Sequence, residues 1–193
     1  MKRLVLFLAL IFISGCAQNT ISFRQQSPNP QKAPTPAASP TPFTFPKLTN
    51  IESRSLDEKL PMKTRKILMD AEEIELFDTT FCPKLLSPKM EPIEPNKFLG
   101  CGYTKKVVVT DPSLKRQILE GFYYGVSTSS LGAACFAPKY GLRAMSKGKR
   151  VELIICFQCE NFRGVSTSGN LGGGISKIPK ELFEQVFANS EQK

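Results

Sequence analysis

The 193-residue sequence predicts an α+β domain: an antiparallel sheet of about four to five strands, helices packed on one face, and a disordered proline-rich tether in front of it. Three observations lead there. Apolar periodicity switches between about 3.6 and about 2 residues, in the order helix, strand, strand, helix, strand, strand, helix, with room for one short strand before the last helix. Successive strands are joined by short loops, which favours antiparallel pairing, because parallel strands need long crossovers. Before residue 50, prolines recur at nearly every second position from Pro28 to Pro46, and no acidic residue occurs.

The chain divides into residues 1–15, 16–50 and 51–193. Met1-Lys2-Arg3 is a short positive start, and Leu4 to Ile13 is an unbroken apolar run. That run has signal-peptide length and is too short to span a bilayer comfortably. It ends in Ile13-Ser14-Gly15-Cys16. This tetrapeptide resembles the lipobox of bacterial lipoproteins. The resemblance implies cleavage after Gly15, a diacylglycerol on the Cys16 thiol and acylation of the new amino terminus. Two or three acyl chains anchor stably where one does so only marginally. An ordinary secretory signal with a chance cysteine is the plainer alternative. Ala17 follows the cysteine where aspartate would retain the protein, which implies outer-membrane placement in a cell of Gram-negative type.

From Ala17 to about Asn50 the chain is rich in Gln, Asn, Ser, Thr, Ala and Pro, with Pro28, Pro30, Pro34, Pro36, Pro40, Pro42 and Pro46. Such a segment cannot bury enough surface to offset its ordering entropy. It reads as a spacer with a fully extended reach on the order of 100 Å at about 3.1 Å per residue.

In the folded region, Pro61 to Glu72 reads as a helix with Ile67, Leu68 and Ala71 on one face. Glu73 to Phe77 alternates as a strand. Phe81 to Asn96 contains Pro83, Pro88, Pro92 and Pro95 and reads as loop. Phe98 to Thr110 is a long strand. Asp111-Pro112 opens a helix, aspartate as N-cap and proline at the first position, with Leu114, Ile118, Leu119 and Phe122 buried and Gly125 as stop. Pro179 to Ala188 forms the last helix, burying Leu182, Phe183, Val186 and Phe187.

Between the last two helices lies the clearest pattern in the chain. Lys147-Gly148 is a two-residue turn in which glycine supplies a positive φ. Residue 146 then pairs with 149, Ala144 with Val151, Leu142 with Leu153 and Tyr140 with Ile155. Arg143 meets Glu152 on the opposite face. Carried on, the register sets Cys159 against Phe136. A bulge at Pro138 brings Cys159 opposite Cys135 and turns Cys156 away. Within one flat strand, Cys156 and Cys159 stand about 10 Å apart, beyond the reach of a disulfide. Two Gly/Ser segments, Gly125 to Gly132 and Gly164 to Gly172, echo each other and read as turns at element ends. Gly172-Gly173-Gly174 offers backbone N–H groups but lacks the lysine of a phosphate loop.

The pattern Ala134-Cys135-Phe136-x-Pro138-x-x-Gly141-Leu142-Arg143, followed by Leu153-Ile154-Ile155-Cys156-Phe157-Gln158-Cys159, resembles a family of small exported bacterial proteins without assigned activity, over about Ile67 to Phe187. That family usually carries Arg-His where this chain has Lys139-Tyr140. The resemblance implies a shared fold and no cofactor or catalytic residue.

Composition excludes several chemistries. The chain has no histidine, so it lacks the commonest general base and metal ligand. The formal charge of +9 falls to +7 without Lys2 and Arg3, and to +4 without Arg24, Lys32 and Lys47, all in acid-free stretches. That charge is too mild and dispersed to indicate a nucleic-acid partner. Three readings of the cysteines stay open. They are buried small hydrophobes; or Cys135 pairs with Cys159 in an oxidising compartment; or Cys135, Cys156 and Cys159 bind metal or do redox chemistry. Cys82 and Cys101 form a separate candidate pair, closing a loop of about 20 residues with a stabilisation of about 3 kcal/mol. With Cys16 lipidated one cysteine stays free, and the register favours Cys156.

The expected function is that of a lipoprotein, held to a membrane at Cys16, which displays a non-enzymatic binding or structural domain toward an envelope partner, without a cofactor. The alternative is a metal-binding or thiol-redox envelope protein using Cys135, Cys156 and Cys159. A hydrolase using a loop serine with Lys139 or Lys177 as base has no supporting spacing.

Overall fold

The computed structural model describes residues 43–80, 82, 90, 92–130 and 135–190. The lipobox at Ile13 to Cys16 and the prolines up to Pro42 lie outside the described residues. The described residues all belong to one compact unit.

The elements run α1 (Asn50–Lys59), α2 (Met62–Asp70), β1 (Ile74–Thr79), β2 (Lys97–Phe98), β3 (Cys101–Val109), α3 (Pro112–Ser127), β4 (Tyr140–Ser146), β5 (Lys149–Cys156), β6 (Asn161–Ser166), β7 (Gly169–Gly174) and α4 (Lys180–Asn189). The architecture is α+β. Among the described residues the sheet has seven strands, not four or five, in the order β2-β3-β1-β4-β5-β6-β7, and every pairing is antiparallel.

The two extra strands at one edge are β6 and β7, in a segment expected to be mainly turn. Their ladder runs from Asn161 opposite Gly174 to Ser166 opposite Gly169, while β6 pairs with β5 on its other side. Gly172 to Gly174 is therefore strand. Glycine is a poor strand former; tertiary pairing overrides that preference here. At the other edge, the expected strand from Phe98 is interrupted. Leu99 and Gly100 both have positive φ, so the chain reverses and β2 pairs back on Cys101 and Gly102.

The central hairpin has the expected register, from Tyr140 opposite Ile155 to Ser146 opposite Lys149. Its turn residues Lys147 and Gly148 have φ of 50° and 74°, the left-handed pair that a two-residue hairpin requires. Strand β5 ends at Cys156 and the next four residues form a turn, with Glu160 at a φ of 52°.

Helix α3 has the expected start: Asp111 accepts a hydrogen bond from the Leu114 N–H at 2.7 Å, with proline at the first helical position. It runs through Gly125 to Ser127, because Gly125 and Val126 are buried against neighbours. Helix α1 was not expected. A reciprocal Thr49–Glu52 capping box starts it, with Glu52 receiving the Thr49 N–H at 2.7 Å and holding its carboxyl below the usual value. The folded unit also takes in the end of the segment expected to be tether, residues 16–50. Phe43 and Phe45 pack against the core, and the Phe43 N–H bonds to the Gln117 side chain at 3.1 Å.

One face of the sheet carries the main core. Ile74, Leu76, Leu142, Ala144, Val151, Leu153, Ile155 and Phe162 meet side chains of all four helices there. The opposite face buries a second, smaller cluster around Phe77, Phe98, Cys101 and Ile154.

Candidate functional site

The opposite face holds the chemistry. Strand alternation puts Glu75, Arg143 and Glu152 side by side, because Glu75 pairs with Arg143 and Arg143 with Glu152 across three adjacent strands. The Arg143 side chain donates from Nε to Glu152 at 2.6 Å and from Nη1 to Glu75 at 3.0 Å. Lys106 extends the row on one side, 2.8 Å from Glu75, and Arg150 on the other, 3.6 Å from Glu152. Arg143 and Glu152 are 6 % and 3 % exposed, so this is a buried ionic row rather than surface decoration.

Aromatic rings close over it. The Arg143 guanidinium lies 5.0 Å from the Phe77 ring centre and 5.3 Å from that of Phe98, and the two rings stack at 4.3 Å. Phe98 comes this close because position 141 is glycine. A Cβ there would sit 2.5 Å from the Phe98 ring. Burial pushes the Glu75 carboxyl up, but the bonds from Lys106 and Arg143 outweigh it and hold it below its ordinary value. Lys106 is correspondingly raised by Glu75.

A cleft of about 740 Å³ borders this row, between Phe77, Lys106, Arg143 and Met145 on the strands and Ile93 and Lys97 on the loop side. Its lining carries both signs of charge and an aromatic floor. Arg143 itself is bound to two carboxylates, so it organises the cleft more than it offers a free cation.

The cysteines gather on this same side. Cys82 and Cys101 are bonded to each other and tie the segment after β1 to β3. Cys156 and Cys159 are bonded to each other, with Cα atoms 5.2 Å apart. This corrects the expected Cys135–Cys159 pairing. The flat-strand argument fails because the strand stops at Cys156 and the turn folds Cys159 back over it. Among the described residues Cys135, not Cys156, is the free and exposed cysteine.

Cys159 sits against the 135–137 segment, its sulfur receiving the Ala137 N–H at 3.3 Å. Phe136 packs on the second cluster, with Arg163 at 4.7 Å from its ring centre. The disulfide takes two of the three sulfurs proposed as metal ligands. Among the described residues no group of three His, Cys, Asp or Glu side chains is placed to hold a metal ion. Lys177 is paired with Glu160 at 3.2 Å, and Lys139 lies over the Tyr140 ring.

Tyr140 starts β4 on the core face of the sheet. It is 3 % exposed, packs among Phe157, Phe183 and Phe187, and donates to Glu184 at 3.2 Å. Burial and the neighbouring carboxylate push its hydroxyl well above the usual range, so it stays protonated. Sequence reasoning found the Arg143–Glu152 pair but missed Glu75 and Lys106. The available signal was the alternation of Glu73, Glu75 and Phe77 around the buried Ile74 and Leu76.

No protein-family model, curated protein or solved structure matches this chain.

Proposed function

We propose that this chain is a bacterial envelope lipoprotein, anchored to a membrane by lipid on Cys16, which displays the α+β unit as a non-enzymatic binding or structural domain. The supporting observation is the pairing of four domain cysteines, Cys82 with Cys101 and Cys156 with Cys159, at disulfide distance. Such pairs persist in oxidising compartments and are rare in reducing ones. That agrees with the export reading of Met1 to Cys16, which rests on different residues. In this reading the prolines between Cys16 and Phe43 serve as spacer, and the cleft beside Arg143 is the ligand-facing surface. In a Gram-negative host, Ala17 places the protein at the outer membrane.

The test is to express the full chain and its Cys16→Ser variant in a bacterial host and fractionate membranes. The wild type is expected in the membrane fraction and the variant in the soluble exported fraction. A Cys16→Ser variant that stays with the membrane would rule out the lipid anchor.

A further inference from the structure

We propose that Cys135, Cys156 and Cys159 form a thiol–disulfide exchange site, in which Cys159 is the shared sulfur and the domain alternates between exposing and burying its free thiol. The proposal rests on the domain cysteines alone and is independent of the membrane anchor.

Proximity is the first argument. The 135–139 segment runs beside the end of the hairpin, with the Lys139 N–H on the Ile155 carbonyl at 3.1 Å and the Ala137 N–H on the Cys159 sulfur at 3.3 Å. Covalent geometry keeps the Cys135 Cα within about 6 Å of the Ala137 nitrogen, hence within about 9 Å of the Cys159 sulfur. Phe136, held on the second cluster with Arg163 beside it, fixes the residue next to Cys135.

Each sulfur of the disulfide accepts a backbone N–H, Cys159 from Ala137 and Cys156 from Cys159, so proximity selects the direction of attack: Cys159 is the sulfur that the segment next to Cys135 touches. The Cys159 N–H donates to the Cys156 sulfur at 3.0 Å. A donor on a departing sulfur stabilises its thiolate, and a better leaving thiolate leaves faster. Cys135 therefore attacks Cys159, and Cys156 departs. The exposed Cys135 first gives its proton to water, and its thiolate forms a bond to the Cys159 sulfur. The Cys156–Cys159 bond breaks, and Cys156 leaves as a thiolate that takes up a proton. No net oxidation or reduction occurs, and no outside oxidant is needed.

The two states differ in accessibility. Before exchange the thiol is at exposed Cys135. After exchange it is at Cys156, which is 1 % exposed. The exchange thus masks the one thiol through which the domain can react with external disulfides.

Peptide mapping reads this directly. Cys156 and Cys159 share the tryptic peptide 151–163, while Cys135 lies on 117–139. The full chain and its Cys156→Ser variant are equilibrated in a glutathione redox buffer, quenched in acid, alkylated and digested. The variant is expected to give a crosslink between peptides 117–139 and 151–163, with Cys135 and Cys159 both protected from alkylation. In the wild type, alkylation is expected to divide between Cys135 and Cys156. A variant in which Cys135 and Cys159 both alkylate while Cys82 and Cys101 remain crosslinked would overturn the proposal, because that retained bond reports a folded domain. If the variant loses the Cys82–Cys101 crosslink, the wild-type distribution decides: a thiol found only at Cys135 overturns exchange, and its division between the two positions supports it.

Discussion

On the helix-bearing face of the sheet, the buried strand side chains are mostly hydrocarbon or aromatic, with Ser166 hydrogen-bonded to Thr64 of α2, and the four helices supply matching surfaces. On the opposite face the same strands bury Arg143 and Glu152 beside a half-buried Glu75, covered by a two-residue strand and its loop. The first face is held by area removed from water, which needs no particular partner for each atom. The second has a smaller apolar cluster around Phe77, Phe98, Cys101 and Ile154, and its cover has few backbone ladder bonds. It is held as well by an ionic row, two rings over Arg143 and the Cys82–Cys101 crosslink. Specific bonds supplement bulk burial where a thin cover must stay in place. They also make the second face the more breakable one, and the one whose chemistry a ligand or a redox change can reach.

The largest expected effect separates the two kinds of support. Arg143→Met removes the cation shared by two carboxylates, leaving Glu75 with Lys106 and the buried Glu152 with Arg150 at 3.6 Å, which should cost about 3 kcal/mol in denaturant unfolding. Replacing Glu152 by Leu in the same protein should recover much of that loss, because removing both members of a buried pair is far less costly than removing one. Phe122→Ala on the helix face should cost a similar amount, about 3–5 kcal/mol, through a cavity that no charge change refills. Failure of the double variant to recover would mean that the row is not the unit that carries the second face.

Next in size is the crosslink. Cys101→Ala should lower stability by about 3 kcal/mol, as expected for a closed loop of this length. Hydrogen exchange should then quicken in residues 92–102 while α3 and α4 stay protected. Uniform quickening would show that the two faces are not separable.

The smallest effect is the titration of Glu75. Its folded pKa is held below the ordinary 4.5. Its contribution is therefore fully present above that value and is lost as pH falls through the lower folded value. Glu75→Gln should flatten this part of the acid unfolding profile. An unchanged slope would contradict the role assigned to the Lys106 and Arg143 bonds.

Much of the helix face was legible in the sequence, because periodicity and turn chemistry agree there. Lys147-Gly148 sets the hairpin register, and Asp111-Pro112 sets the start of α3. What escaped was decided by tertiary pairing. Gly125-Val126-Ser127-Thr128-Ser129 and Gly164-Val165-Ser166-Thr167-Ser168 share one pentapeptide, yet the first ends a helix and the second ends a strand. Val126 and Val165 are both buried, so each copy follows the element already docked beside it. Helix α1 is mostly charged and polar and shows no apolar stripe; only its Thr49–Glu52 box announced it. The cysteine pairing turned on where β5 stops, and the positive φ of Glu160 that helps end it has no glycine to mark it.

The central claim, an exported lipoprotein whose second face is covalently tied, is tested most directly by one mass measurement. Protein extracted from membranes without reductant is denatured, alkylated with a maleimide and weighed intact. The predicted result is a chain beginning at lipid-modified Cys16 that takes up one maleimide, leaving the other four domain cysteines in two disulfides. A chain without lipid at Cys16, or one that takes up three or more maleimides, would contradict it.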